Sequence, residues 1–266
     1  MTAPFVTTVD GHQHFVRDWG SGPAMLFLAG AGMDSRLWGE TMAALNAGGF
    51  RTIAYDRRGH GRSSDPGVLD YDMLADDLAA ILESLDLSDL VLVAHSGAGG
   101  EAIRYITRHG PDRIRHLVLV GATGPCPLQR PDNAEGVPPA AVEQLMAELT
   151  GDLAGWIDRN AAPFAPGASP RLVDWLGGMM LDASRRILLD FQRAIFNADF
   201  RAEAATLPLP VTILHGDRDA SAPIEQSARR YAAIVPDARL IVYEGAPHGL
   251  MFTHCDRFCR DLMALL

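Results

Sequence analysis

The stretch "VLVAHSGAGGEA" at residues 91–102 fits two different chemistries. Gly97, Gly99 and Ala102 match G-x-G-x-x-G/A, the turn by which a strand and helix take a dinucleotide pyrophosphate. Ser96, with the small residues Ala94 and Ala98 two positions to either side, matches the sharp strand-to-helix turn that presents a nucleophile. The serine of such a turn sits in strained backbone that tolerates only slim neighbours. The dinucleotide reading also needs a carboxylate at the end of the next strand, about 20 residues on, to hold the ribose. That strand, "HLVLVGA" at 116–122, runs out in Gly121, Ala122 and Thr123, with no carboxylate. The stretch moreover follows the third parallel-type strand rather than the first. The nucleophile reading is the one to pursue.

A serine hydroxyl is a poor nucleophile until a histidine takes its proton, and the histidine needs a carboxylate to fix its tautomer. In a sheet enzyme of this type the order along the chain is serine, acid, histidine. "HGDRDASAP" places Asp217 and Asp219 just beyond a strand, and "EGAPHGL" places His248 just beyond the next. Ser96, Asp219 and His248 therefore leave the same edge of a parallel sheet. Asp219 is preferred to Asp217 for its spacing to Pro223, and Asp217 is expected to make turn hydrogen bonds. Two backbone N–H groups should face the developing oxyanion, each worth about 3–4 kcal/mol of transition-state stabilisation. Gly97 and, in "LAGAGMDS", Ala31 are best placed to supply them.

The rest of the chain supports a doubly wound α/β sheet. Six near-continuous apolar runs, at 24–30, 51–56, 90–95, 116–122, 211–217 and 239–245, read as strands buried on both faces. Helical patterns lie between them at 36–47, 71–86, 97–109, 224–235 and 254–265, and residues 5–17 could add an antiparallel pair. Residues 1–124 and 208–266 then form one core domain. Residues 125–207 lack a convincing strand and read as successive helices, a helical cap over the C-terminal edge of the sheet. Phe164, Trp175, Met179 and Met180 are its candidate pocket residues, although core packing is the better reading for any single one of them.

Composition narrows the function classes. A net charge of −10 argues against nucleic acid or an anionic membrane as partner. All 23 basic residues are arginine, so Schiff-base and pyridoxal-phosphate mechanisms, which need a lysine, are excluded. The N-terminus shows neither the basic start nor the apolar core of a secretory signal, no apolar run approaches membrane-spanning length, and a cytoplasmic protein is expected. Cys126, Cys255 and Cys259 suggest no disulfide framework, and no histidine shows metal-ligand spacing. Alternation along the strand predicts that His95 points away from the serine's side as a packed, hydrogen-bonded histidine. Arg57, Arg58 and Arg62 are expected to tie down a loop with Asp65, and His60 and His215 are read as structural or surface.

"YDRRGHGRSS", "SGAGGE" leading to "RYITRHG", "VDWLGGMM", "HGDRDASAPIEQS" and "YEGAPHGL" together resemble the α/β-hydrolase superfamily. Within it, they resemble the cofactor-free haloperoxidase, perhydrolase and esterase group, over nearly the whole chain. Two positions depart from that pattern: Ala29-Gly30 stands where His-Gly is usual, and Ala94 stands where the elbow usually has glycine. The resemblance implies a serine hydrolase with no metal or organic cofactor, Ser96 as nucleophile, Asp219 as acid, His248 as base, and Ala31 and Gly97 at the oxyanion. The expected substrate is a small acyl compound, most simply a carboxylic ester. A lactone, a carbon–carbon bond or peroxide are alternatives for the same trio, and a hydrolase-fold binding protein without turnover is the rival outside enzymology. Oligomeric state, a homo-oligomer included, is left open.

Overall fold

The computed structural model describes residues 4–265. Eight strands form one sheet: β1 Phe5–Thr7, β2 Gln13–Trp19, β3 Ala24–Leu28, β4 Arg51–Tyr55, β5 Leu90–His95, β6 Ile114–Val120, β7 Val211–Gly216 and β8 Arg239–Tyr243. Their spatial order is β1-β2-β4-β3-β5-β6-β7-β8. The pairs β1/β2 and β2/β4 are antiparallel and the rest parallel, so residues 5–17 do supply an antiparallel start. The central strands are apolar along their whole length because both faces are covered. Every residue of β5 is buried, as is every residue of β7.

One face is covered by α2 Tyr71–Ser84, α3 Ala98–His109 and α9 Ala228–Ile234, the other by α1 Gly39–Ala47 and α11 Cys255–Met263. Helix α2 shows how the sequence decides this. Asp70 caps it by accepting from the Met73 N–H at 2.8 Å, worth about 1 kcal/mol. Leu74, Leu78, Ile81 and Leu82 recur at helical spacing and are fully buried against the sheet. Asp77 shares that buried face, which is tolerable because Arg58 pairs with it (Nε to Oδ2 2.6 Å) and His14 Nε2 lies 3.3 Å from its Oδ1.

Between β6 and β7 the chain builds helices instead of strands: α4 Pro139–Gly151, α5 Leu153–Phe164, α6 Pro170–Asp182, α7 Arg185–Asn197 and the short α8 Arg201–Ala204. The remaining helix, α10 Leu250–Thr253, follows β8 directly. This inserted layer is anchored to the core at several points. The Ser184 N–H donates to Gly59 O at 2.7 Å, the Gly249 N–H beyond β8 donates to Phe164 O at 2.8 Å, and Arg36 on the core pairs with Asp182 at 3.1 Å.

Three expectations are corrected. Trp175 lies outside the cavity described below: it is 37% exposed and borders a surface groove with Trp19 and Arg171. Met179 is buried in the core and does not line that cavity, so these two are not pocket wall. The arginines of 57–62 do not gather on Asp65. Arg57 pairs with Glu101 (Nε to Oε2 2.9 Å), Arg58 with Asp77, and Arg62 stacks on Phe15 at 4.0 Å. Each thus binds the nearest buried carboxylate or ring, where its desolvation is compensated.

Candidate active site

Strand β5 ends at His95, and the next residue, Ser96, has φ +57°, a left-handed conformation that side chains bearing Cβ rarely adopt. The strain is held by three hydrogen bonds. Ser96 N–H donates to Val120 O at 3.0 Å, and Ser96 O accepts from Gly99 N–H at 3.0 Å and Thr123 N–H at 3.3 Å. Ala94 and Ala98, the small neighbours, are fully buried. Helix α3 begins at once, with Gly97 as its N-cap and the Gly97 carbonyl held by Tyr71 Oη at 2.8 Å.

Asp219 follows β7 and His248 follows β8, so both emerge at the same sheet edge as Ser96. Asp219 Oδ2 accepts from His248 Nδ1 at 2.7 Å. A carboxylate can only accept, so Nδ1 carries a proton, and it is Nε2 that holds the lone pair whenever the ring is neutral. The other carboxylate oxygen, Oδ1, accepts from the N–H groups of Ser221 (2.9 Å) and Ala222 (2.8 Å). Burial alone would raise the Asp219 pKa. The charge and hydrogen bond of His248 and the Ala222 N–H outweigh it, leaving this carboxyl below its ordinary value. Asp217 instead accepts from the Gly245 N–H at 2.7 Å and holds a turn.

Ser96 and His248 line one cavity of about 360 Å³, with Ala31 on its wall. Among the described residues no hydrogen bond joins Ser96 Oγ to His248, and such bonds commonly tighten only with substrate. The walls are mainly apolar, from Met33, Trp156, Phe164, Leu176, Met180 and Ile195, with Gln192, Gln226 and Arg230 among the polar groups. Of the four residues expected as pocket wall, Phe164 and Met180 are present.

The Ala31 and Gly97 amides are oriented by their own peptide planes. Gly30 O accepts from Met33 N–H at 3.2 Å, and Ser96 O is fixed as described above. In a trans peptide the N–H points opposite the carbonyl, so each amide is directed away from an anchored oxygen. Among the described residues neither N–H is used in a hydrogen bond within the chain.

His95 corrects another expectation. Its ring is packed and hydrogen-bonded as expected, but it does not turn away from the site: it lies 4.6 Å from the His248 ring, with Nε2 donating to His248 O at 3.3 Å. Alternation stops at the strand end, and the left-handed residue after it redirects the chain. Burial, with the nearby His248 charge, pushes His95 down to about 3, so the ring stays neutral. Sequence reasoning took His215 as structural or surface without placing it at the site, and the structure buries it with Nε2 3.4 Å from Asp219 Oδ2 and 2.7 Å from Ala222 O. It missed the buried Tyr55–Glu101–Arg57 cluster as well, whose one signal was an acid on the sheet-facing side of α3.

The alpha/beta hydrolase fold model matches residues 23–254. The chain belongs to the α/β-hydrolase family. This α/β-hydrolase is 37% identical to a non-heme haloperoxidase of Rhodococcus erythropolis, over 99% of each chain. It is 35% identical to a bifunctional esterase/perhydrolase of Acinetobacter calcoaceticus, covering 98% of this chain and 99% of that one. Among solved structures, an esterase from Exiguobacterium antarcticum superimposes with a TM-score of 0.94 at 27% identity, over 99% of this chain and 98% of that one. No helix among the described residues is long and apolar enough to cross a membrane.

Proposed function

We propose that this α/β-hydrolase is a serine esterase that cleaves small apolar carboxylic esters through an acyl-enzyme, beneath a helical cap made by residues 125–207. The observation that carries this reading is the Asp219–His248 hydrogen bond, which makes Nε2 the basic nitrogen of the neutral His248 ring on the same cavity as Ser96. Nε2 takes the Ser96 proton as Oγ bonds to the ester carbonyl carbon. The carbonyl oxygen becomes an oxyanion held by the Ala31 and Gly97 amides. Collapse of the tetrahedral adduct breaks the bond to the alcohol, which leaves with the proton from His248. Water then gives its proton to Nε2 and its oxygen to the acyl carbon, and the acid departs with Ser96 restored. Asp219 holds the ring in the required tautomer and stabilises its charged form.

The cavity volume speaks to substrate size. A dry apolar cavity of about 150 Å³ accepts benzene, so about 360 Å³ accommodates an aryl group together with a short acyl chain. A second reading, perhydrolysis, is favoured by the relative named as a bifunctional esterase/perhydrolase. In it hydrogen peroxide takes the place of water at the acyl-enzyme, giving a peracid and free Ser96. The test pairs fluorophosphonate labelling with a panel of p-nitrophenyl esters, lactones, and acetate with peroxide. The wild type is expected to label at Ser96 and to turn over aryl esters, and folded Ser96→Ala to do neither. Substantial ester turnover by folded Ser96→Ala sinks the reading.

A further inference from the structure

The turn joining β4 to α2 carries "DRRGHGR", residues 56–62, which the reaction scheme above does not use. It lies against the Gly30–Met33 turn and grips it from three sides. Arg57 Nη2 donates to Ala29 O at 2.8 Å, while the same guanidinium is fixed by Glu101 and lies over the Phe191 ring at 4.7 Å. Asp56 Oδ1 accepts from Ser35 N–H at 2.8 Å, and its Oδ2 accepts from Arg62 N–H at 2.8 Å, so one carboxylate joins the two turns. His60 Nδ1 lies 3.0 Å from Arg58 O and must be the protonated nitrogen, since a carbonyl only accepts. Its Nε2 is therefore an acceptor, and it takes the N–H of Gly32 at 3.1 Å.

Gly32 has φ +75°, and a Cβ there would meet Met180 Cγ at 2.9 Å. The conformation that directs its N–H to His60 is therefore available to glycine and to few other residues. Ala31, which lines the cavity, lies between the two gripped residues Ala29 and Gly32. The other end of the Arg57 tie is Glu101, in the first turn of the helix that Gly97 caps. One buried ion pair thus links both peptide segments that supply oxyanion donors.

We propose that the 56–62 turn is a splint for the oxyanion loop, with His60 and Arg57 as positioning residues that hold the Ala31 amide on target. The proposal rests on the serine-hydrolase reading. It explains why a histidine 1% exposed stands in a surface-type turn. Burial and the Arg57 charge hold that histidine down to about 4, which keeps Nε2 an acceptor above that pH.

The test compares His60→Asn with His60→Gln on p-nitrophenyl butyrate and on a trifluoromethyl ketone. The ketone adds to Ser96 Oγ, passes the serine proton to His248 and places an alkoxide in the hole. The asparagine amide can still donate to Arg58 O but falls short of Gly32, whereas the glutamine oxygen reaches it. His60→Asn is expected to lower kcat by about 10- to 100-fold with KM within about 2-fold, because misplacing a group by about 1 Å costs that order. The ketone Ki should rise by the same factor as kcat/KM falls, and His60→Gln should recover to within about 5-fold of wild type. Equal activity of the two variants, or an effect on melting temperature alone, overturns the proposal. Should His60→Asn fail to fold, Arg57→Lys retains a cation for Glu101 and is expected to show the same kcat loss; wild-type kcat in that folded variant overturns it. A wild type that fluorophosphonate does not label refutes the esterase reading, whereas a labelled wild type with unaffected variants refutes the splint alone.

Discussion

At the scale of single residues, Ser96 is where the candidate site carries backbone strain. Its φ of +57° costs about 1–2 kcal/mol for a residue bearing Cβ. Ser96→Gly and Ser96→Ala remove the same hydroxyl, but only glycine relieves the backbone. Urea unfolding should therefore find Ser96→Gly more stable than Ser96→Ala by about 1 kcal/mol, after the entropy glycine adds to the unfolded chain. Equal stabilities would mean that the elbow is not strained in solution. The elbow was legible in the sequence because steric need writes itself as small residues around a serine. Asp219 could be preferred to Asp217 only by spacing, and the structure separates them by partner: His248 for one, the Gly245 N–H for the other. His95 was misread because strand alternation was carried through a residue whose backbone is not a strand's. Arg57, Glu101 and His60 were invisible as a set, since their contacts join segments between 28 and 44 residues apart and have no local periodicity.

At the scale of elements, the strands were the most readable part, since a doubly covered sheet demands unbroken apolar runs. The inserted helices were readable as helices, but their faces were not. Helix α6 turns Met180 to the cavity, Met179 to the core and Trp175 to a surface groove, a division set by neighbours rather than by composition. How closely the insertion approaches the core can be tested at Gly100 in α3. A Cβ there would stand 2.5 Å from Phe200 Cε2 and 2.7 Å from the Tyr71 ring, and those rings are edge to face at 4.9 Å with little room to yield. Gly100→Ala gains up to about 1 kcal/mol of helix propensity but overpacks by about 1–3 kcal/mol. The expected net result is a loss of about 1–2 kcal/mol in denaturant unfolding, and a stabilised variant would mean that the rings move apart freely.

At the scale of the whole molecule, three buried histidines make folding sensitive to mild acid. Burial holds His60 down to about 4 and His95 to about 3, and lowers His215 as well. Between those values and about 6.5, the unfolded chain binds protons that the folded chain refuses, so stability falls as pH falls. Each such histidine contributes up to about 1.4 kcal/mol per pH unit in that window. Urea unfolding at pH 5.5 should therefore give a free energy roughly 2–4 kcal/mol below that at pH 7. The depressed Asp219 carboxyl adds its own loss only lower, as pH falls below the ordinary carboxylate range. A flat profile from pH 7 to 5.5 would show that these rings reach water.

The last residue of α5 has a further consequence. Phe164 O accepts from Gly249 N–H at 2.8 Å, and the Phe164 ring stands edge-on to His248 at 5.6 Å. The helical layer is thus fastened to the very loop that carries the imidazole, and lifting it there would drag that ring off Asp219. Helical layer and imidazole are therefore mechanically coupled at this point, and a shift of the one is felt at the other.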